Sequence, residues 1–269
     1  MTKANQILPE HIMTYRRHQK ENGWKDVSIA TSYRAIRRFC NWLVEVGKVK
    51  EKNNPCLRIK EPTFKKKIIQ PLTENEIRGL LLIIDHRSMS GHKETERKLC
   101  NLRDKAIIYI YTDTAIRLRE LHEILLSDIN LDAGTIKVSG KNGEERIVPF
   151  DRKAKASVSR YIIYRGELGF DDPYLWVNEY GRPLSRWGIC SLFTRLKALA
   201  GYKSGVRVSS HTFRHTAAIT ALRNGMDGLI LQRLLGHKTL HQTNEYTALI
   251  SDDVIKAHHK YSPVQSMDI

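Results

Sequence analysis

Alternation of apolar and polar residues, the mark of a strand, stands out at one place in this chain, between Gly134 and Phe150. GTIKVSG alternates, KNGE carries Asn-Gly turn chemistry and ERIVPF returns, so the segment predicts a β-hairpin. Elsewhere apolar residues recur at helical spacing. Helices are expected from Ile7 to about Gln19, from Ser28 to Val46, from Leu99 to Thr112 and, after a break at Asp113 to Ile116, through Leu118, Leu121, Ile124 and Leu125. Further helices are expected over 152–167, 186–200, 211–224, 227–235 and 239–248. Such a chain is mainly α with a small β-hairpin or sheet, an α+β arrangement.

In the helix from Ser28 to Val46, Tyr33, Ile36, Cys40, Leu43 and Val46 form one stripe expected to be buried, and Arg34, Arg37, Arg38 and Asn41 are left as a basic face. After Gly47 the stretch KVKEKNNPCLRIKEPTFKKKIIQP combines prolines and clustered lysines, including Lys65, Lys66 and Lys67, with little periodicity. It reads as a short terminal helix followed by a linker. A second unit opens at Leu72, where Thr73 and Glu76 have the spacing of a reciprocal capping box.

The charge is uneven. The chain has 45 Lys and Arg against 29 Asp and Glu, a formal +16; residues 1–67 hold 16 against 6, and the rest 29 against 23. A concentrated cation at the N-terminal side makes nucleic acid the leading partner class. Cys40, Cys56, Cys100 and Cys190 are dispersed without the spacing of a zinc site, and are expected to be reduced core thiols. No apolar run approaches the ~20 residues of a membrane span, and the N-terminus lacks a signal-peptide core. A cytoplasmic, nucleoid-associated protein is therefore expected, with no membrane partner.

The stretch Ser210 to Tyr246 places His211, Arg214, His237 and Tyr246 along helical patterns. Ser209 or Ser210 is the expected N-cap, so His211 and Arg214 are expected in the first turn, where free N–H groups and the helix dipole favour a phosphate. The wording H-x-x-R-H, then L-G-H, then a Tyr nine residues beyond His237, resembles the C-terminal signature of the tyrosine recombinase (phage integrase) family. TAIRLREL at Thr114–Leu121 is similar to its first block, with Ala115 where glycine is usual. GKNGEERIVP matches its hairpin.

The resemblance implies a fold, a chemistry and an assembly. Residues 1–62 would be a helical, SAM-like core-binding domain, 63–71 a linker, 72–250 the tyrosine recombinase catalytic domain and 251–269 a tail that docks on a neighbouring subunit. The type resembled is the compact, Xer-like one without an arm-binding domain. Tyr246 would be the nucleophile forming a 3′-phosphotyrosyl link, with Arg117 and Arg214 clamping the phosphate. His211 would move the Tyr proton, Lys141 would protonate the leaving oxygen, His237 would donate to the phosphate and Glu120 would brace the site. Arg34, Arg37, Arg38, Lys65, Lys66 and Lys67 are the candidate DNA contacts.

No cofactor or metal is implied: His237 and His241 stand at i, i+4, but no third ligand is spaced to join them. The implied partners are duplex DNA with paired inverted sites, three further copies of the chain on two such sites, with a monomer or weak oligomer when free, and an accessory directionality protein. The task would be integration, excision or resolution of a mobile element, without ATP. A type IB topoisomerase-like relaxing enzyme and a catalytically degenerate architectural DNA-binding protein remain open beside it.

Overall fold

Burial requirements divide the chain into two compact units, Met1–Lys67 and Ile68–Ile269, in a computed structural model that describes residues 6–63, 69–88, 91–140, 143–203, 205–237 and 239. Lys65, Lys66, Lys67, Lys141, His241, Tyr246, the expected helix over 239–248 beyond its first residue and the expected tail over 251–269 lie outside the described residues.

The first unit is built on α1 (Pro9–Glu21) and α2 (Asp26–Glu45), followed by a 3-10 turn at Glu51–Asn53. Pro9 supplies the fixed φ suited to the first helical position, where its missing N–H has no partner to lose. Ile12, Tyr33, Cys40 and Cys56 form the core, and the Tyr33 hydroxyl donates to the Ile59 carbonyl at 2.7 Å, tying the segment after α2 back onto the helix. Burial, then the neighbouring Cys40, pushes the Cys56 thiol up to about 12, which keeps it protonated. The expected stripe ends one turn early. Val46 is 44% exposed because α2 stops at Glu45 and Gly47 turns the chain away with φ +70°.

The second unit wraps α4 (Glu94–Thr114), a helix buried on most sides. Against it lie α3 (Glu74–His86), α6 (Arg152–Glu167) and α8 (Ser210–Arg223), while α5 (Leu118–His122), α7 (Arg186–Leu199) and α9 (Gly228–Leu235) complete the α-helices among the described residues. The capping box at the start of α3 forms: Glu76 N donates to Thr73 Oγ1 at 3.2 Å and Thr73 N to Glu76 Oε2 at 2.7 Å. Arg103 and Arg87 enclose the buried Asp104 carboxylate at 2.7 and 2.6 Å.

The hairpin joins a three-stranded antiparallel sheet, β1 (Ile129–Asn130), β2 (Thr135–Ser139) and β3 (Glu145–Pro149), in that order. Pairing of Ile136 with Val148 and of Val138 with Arg146 sets the register. β1 was not expected; at two residues it is too short for an alternating pattern to be read. α5 also ends sooner than the apolar spacing suggested, at His122, because Leu125 leaves helical geometry to bridge Tyr174. Cys40, Cys56 and Cys100 are buried as expected, but Cys190 is exposed on α7, whose buried side is made by Ile189, Leu192, Phe193 and Leu196. No helix among the described residues is long and apolar enough to cross a membrane.

Candidate active site

Two left-handed residues place the site. α4 ends at Thr114, and Ala115 takes φ +52°, reversing the chain so that Ile116 turns inward and Arg117 opens α5. Ala115 is the one non-glycine residue with positive φ among those described, and it stands where related sequences were expected to carry glycine. The second is Gly236, φ +62°, at the end of α9. Its N–H donates to the Arg233 carbonyl and that of His237 to the Gln232 carbonyl, each at 3.1 Å, which is the Schellman arrangement.

Helix C-termini leave carbonyls without donors and carry the negative end of the dipole. Here the Schellman bonds satisfy Gln232 and Arg233, and three arginines from three other elements take the next three carbonyls in order. Arg146 Nε on β3 donates to Leu234 O at 3.1 Å, Arg214 Nη2 on α8 to Leu235 O at 2.8 Å, and Arg117 Nη2 to Gly236 O at 2.9 Å. Arg214 Nη1 also reaches the carbonyl of Ala115 at 2.6 Å. One guanidinium thereby ties the two left-handed residues' turns together.

Glu120 is the acid of this cluster. Its carboxylate, 2% exposed, accepts from Arg117 N at 2.7 Å, Arg117 Nη1 at 2.9 Å, and Arg146 Nη1 and Nη2 at 2.7 and 2.9 Å. Four donors occupy the acceptor sites that a carboxylate offers. Burial alone would raise its pKa, but the Arg146 hydrogen bonds, followed by the Arg117 amide, the Arg146 charge and the Arg117 side-chain hydrogen bond, hold it at about 2. Glu120 is thus ionised, and Arg117 keeps 40% of its side chain exposed with its guanidinium held from behind.

Ser209 is the N-cap of α8, accepting from Thr212 N at 3.2 Å. His211 is exposed in the first turn. Arg214 is the fifth helical residue, one position past the first turn, so it is not a ligand of the helix N-terminus; it is 6% exposed and points into the cluster. Ser209, one of the two serines expected to cap, is the cap, and Arg214 lies one residue past the turn it was expected in. His237 Nε2 lies 3.0 Å from Arg214 Nη2. A guanidinium nitrogen can only donate, so in this contact His237 Nε2 is the acceptor.

Among the candidates, Arg117, Glu120, Arg214 and His237 meet at the end of α9, and His211 stands three residues before Arg214 on one helix face. Arg34, Arg37 and Arg38 belong to the first unit. Arg34 and Arg37 share Glu61 at 2.6 and 3.7 Å, and Arg38 pairs with Glu45 at 3.2 Å. The sequence reading missed Arg146, although a signal was present: in ERIVP, alternation puts Arg146 on the same face as Val148, and Ile147 on the other. Ile147 is 71% exposed while Arg146 turns inward. A charge on a core face demands a buried partner. No group of three or more His, Cys, Asp or Glu side chains among the described residues is arranged for a metal ion.

Comparison with known proteins agrees with this architecture. Residues 58–252 match the phage integrase family. Tyrosine recombinase XerD of Halalkalibacterium halodurans is 32% identical over 247 residues, covering 91% of this chain and 78% of that protein. Tyrosine recombinase XerC of Thermodesulfovibrio yellowstonii is 28% identical, covering 99% and 86%. Among solved structures, XerH site-specific recombinase bound to a palindromic difH substrate superposes with a TM-score of 0.74 at 18% identity, covering 98% of this chain and 74% of that one. The Tn1549 transposon integrase in complex with transposon right end DNA gives 0.75 at 18% identity, covering 97% and 87%. With its mainly helical fold, small antiparallel sheet and these relatives, the chain belongs to the phage integrase family of tyrosine recombinases.

Proposed function

We propose that this protein is a site-specific recombinase that cuts and rejoins DNA strands through a 3′-phosphotyrosyl intermediate on Tyr246. The observation that carries this reading is the convergence of Arg117, Arg214 and His237 on the end of α9, with Glu120 bracing Arg117. Two fixed guanidiniums supply the charge needed to neutralise a phosphorane-like transition state. His211 takes the Tyr246 proton, His237 donates through Nδ1–H to a non-bridging oxygen, and Lys141 protonates the departing 5′-oxygen. The phosphotyrosyl bond conserves the energy of the broken phosphodiester, so neither ATP nor a metal ion is required.

On the same reading residues 1–62 bind the core site, 63–71 link, 72–250 carry the chemistry and 251–269 dock on a neighbouring subunit. Four copies act on two paired inverted sites of duplex DNA, in the cytoplasm at the nucleoid, with an accessory protein setting direction. The biological task is movement or resolution of a mobile element. Arg34, Arg37, Arg38, Lys65, Lys66 and Lys67 contact phosphates.

The test begins with a random-sequence duplex library selected for binding to the Tyr246→Phe protein. A nicked, end-labelled duplex of the selected sequence, incubated with wild-type protein in EDTA without nucleotide, is expected to yield a denaturation-resistant protein–DNA adduct. The Tyr246→Phe protein should bind equally and form none. Adduct formation by the Phe variant would refute the nucleophile, and dependence on a divalent ion would refute the metal-free mechanism.

A further inference from the structure

Arg146 lies outside the set of groups that the phosphodiester chemistry uses, yet it is bound into the framework that holds them. Its side chain is 17% exposed. Both Nη atoms bind the Glu120 carboxylate, at 2.7 and 2.9 Å, and Nε binds the Leu234 carbonyl at 3.1 Å. The guanidinium plane is thereby filled on two edges by α5 and α9, while its backbone belongs to β3 and pairs with Val138 of β2.

Each of those elements carries a different part of the proposed chemistry. Arg117 is the N-cap of α5, which contains the Glu120 that holds it. The end of α9 leads into Gly236, whose carbonyl binds Arg117, and His237, whose ring meets Arg214. β3 begins at Glu145, four residues after Lys141 in the sequence. A second observation points the same way: a Cβ built at Gly236 would lie 3.1 Å from Arg146 Nη1 and 3.2 Å from its Cζ, so the helix end and the guanidinium are in direct contact.

We propose that Arg146 is a positioning residue for strand transfer: its bidentate hold on Glu120 and its bond to Leu234 fix β3, the Arg117 turn and the end of α9 in one frame, so that Arg117 and His237 address the same phosphate. The proposal rests on the function proposed above. In this role Arg146 acts through Glu120 and Leu234 rather than on the phosphate. Lysine cannot replace it, since an ammonium offers one point charge where the site has a planar two-edged acceptor set. The carboxylate that Arg146 holds is also the one that burial would otherwise tend to neutralise, so the guanidinium keeps Glu120 in the form that grips Arg117.

The experiment compares full-length wild type, Arg146→Lys, Arg146→Ala, Glu120→Gln and the Arg146→Lys/Glu120→Gln double variant on the library-selected nicked duplex. Adduct rate at saturating DNA, dissociation constant against salt concentration, and folded fraction by circular dichroism are measured for each. Arg146→Lys, which keeps charge and stem, is expected to stay folded at the assay temperature while its adduct rate falls about 10²-fold, the scale of a misplacement near 1 Å. Its affinity and salt slope should match wild type. The double variant should lose little more than the worse single variant, as for two groups acting through one contact.

A salt slope lowered by about one in Arg146→Ala but kept in Arg146→Lys, whose ammonium can still neutralise a phosphate, would mean that the arginine binds phosphate, overturning the positioning role. Wild-type adduct rates in folded Arg146→Lys, or losses that add in the double variant, would also overturn it while leaving the recombinase reading intact. If wild type itself forms no adduct, the recombinase reading falls and takes this proposal with it. If Arg146→Lys loses rate only in proportion to its folded fraction, the residue serves stability alone.

Discussion

The arginines of α2 and those around the end of α9 are one residue type in two opposite settings. Arg34, Arg37 and Arg38 keep 52%, 53% and 74% of their side-chain surface and meet Glu61 and Glu45 across solvent. Arg146 is 17% exposed at its side chain and Arg214 6% exposed overall, and each is bound to backbone carbonyls from distant elements. An exposed pair can rearrange at little cost, so its partners can be exchanged for phosphates. A buried guanidinium has its direction dictated by every acceptor it meets. The exposed arginines of α2 are therefore able to exchange partners, and the two arginines at the end of α9 are fixed in direction.

The contrast is broken most sharply at the carboxylates. Glu120→Ala removes the partner of a mostly buried Arg146 and the brace of Arg117, and is expected to destabilise the second unit by about 3–5 kcal/mol. Glu45→Ala removes an exposed pair and should change stability by less than about 1 kcal/mol. Urea unfolding of both variants checks this. Similar losses would mean that burial does not distinguish the two settings.

Acid titration sharpens the same point. Glu120 is held at about 2 against its ordinary 4.5, so its contribution is fully present above about pH 4.5 and is lost as pH falls toward 2. The depression corresponds to something on the order of 3 kcal/mol. Unfolding measured at pH 6, 4 and 3 should show wild type losing this margin and Glu120→Gln lacking it from the start. Parallel curves would place the acid sensitivity in other groups.

Two glycines compare the backbone settings. Gly47 in the first unit has φ +70° with nothing near its missing Cβ, whereas Gly236 has φ +62° with Arg146 at 3.1 Å. Alanine at either should cost about 1–2 kcal/mol of left-handed strain. Only Gly236→Ala should also displace Arg146, and so only that variant should slow adduct formation on the nicked duplex beyond what its folded fraction explains. Equal rates in the two variants would show the contact to be slack.

The smallest effect is expected at Ala115. Ala115→Gly relieves φ +52°, worth about 1 kcal/mol, but removes a methyl that is 1% exposed, worth about 0.8 kcal/mol. Thermal unfolding should therefore shift by less than about 1 kcal/mol in either direction. A larger gain would show that the turn is strained beyond its backbone angles.

Much of this molecule is legible wherever the signal is local. The capping box of Thr73 and Glu76, the two strands about the Asn-Gly turn and the helices α6 and α7 follow from neighbours within a few residues, and all form near the expected positions. Val46 and Cys190 fail because periodicity says which residues share a face but not where the partner surface ends. Arg146 was legible only as a conflict, a charge on the core face of a strand, and resolving that conflict required knowing which carboxylate lay opposite.

The sequence by itself determined the residue types, their order and the family they resemble, because helical spacing, turn chemistry and capping are settled within a turn or two of chain. Only the tertiary structure decided that three guanidiniums, from positions 119, 88 and 21 residues away from the carbonyls they bind, would meet on three consecutive peptide groups of one helix end. The physical reason is that the last carbonyls of a helix have no donors within their own element. When such an end is buried, its donors come from whichever elements the core brings beside it, and local sequence carries no record of that choice.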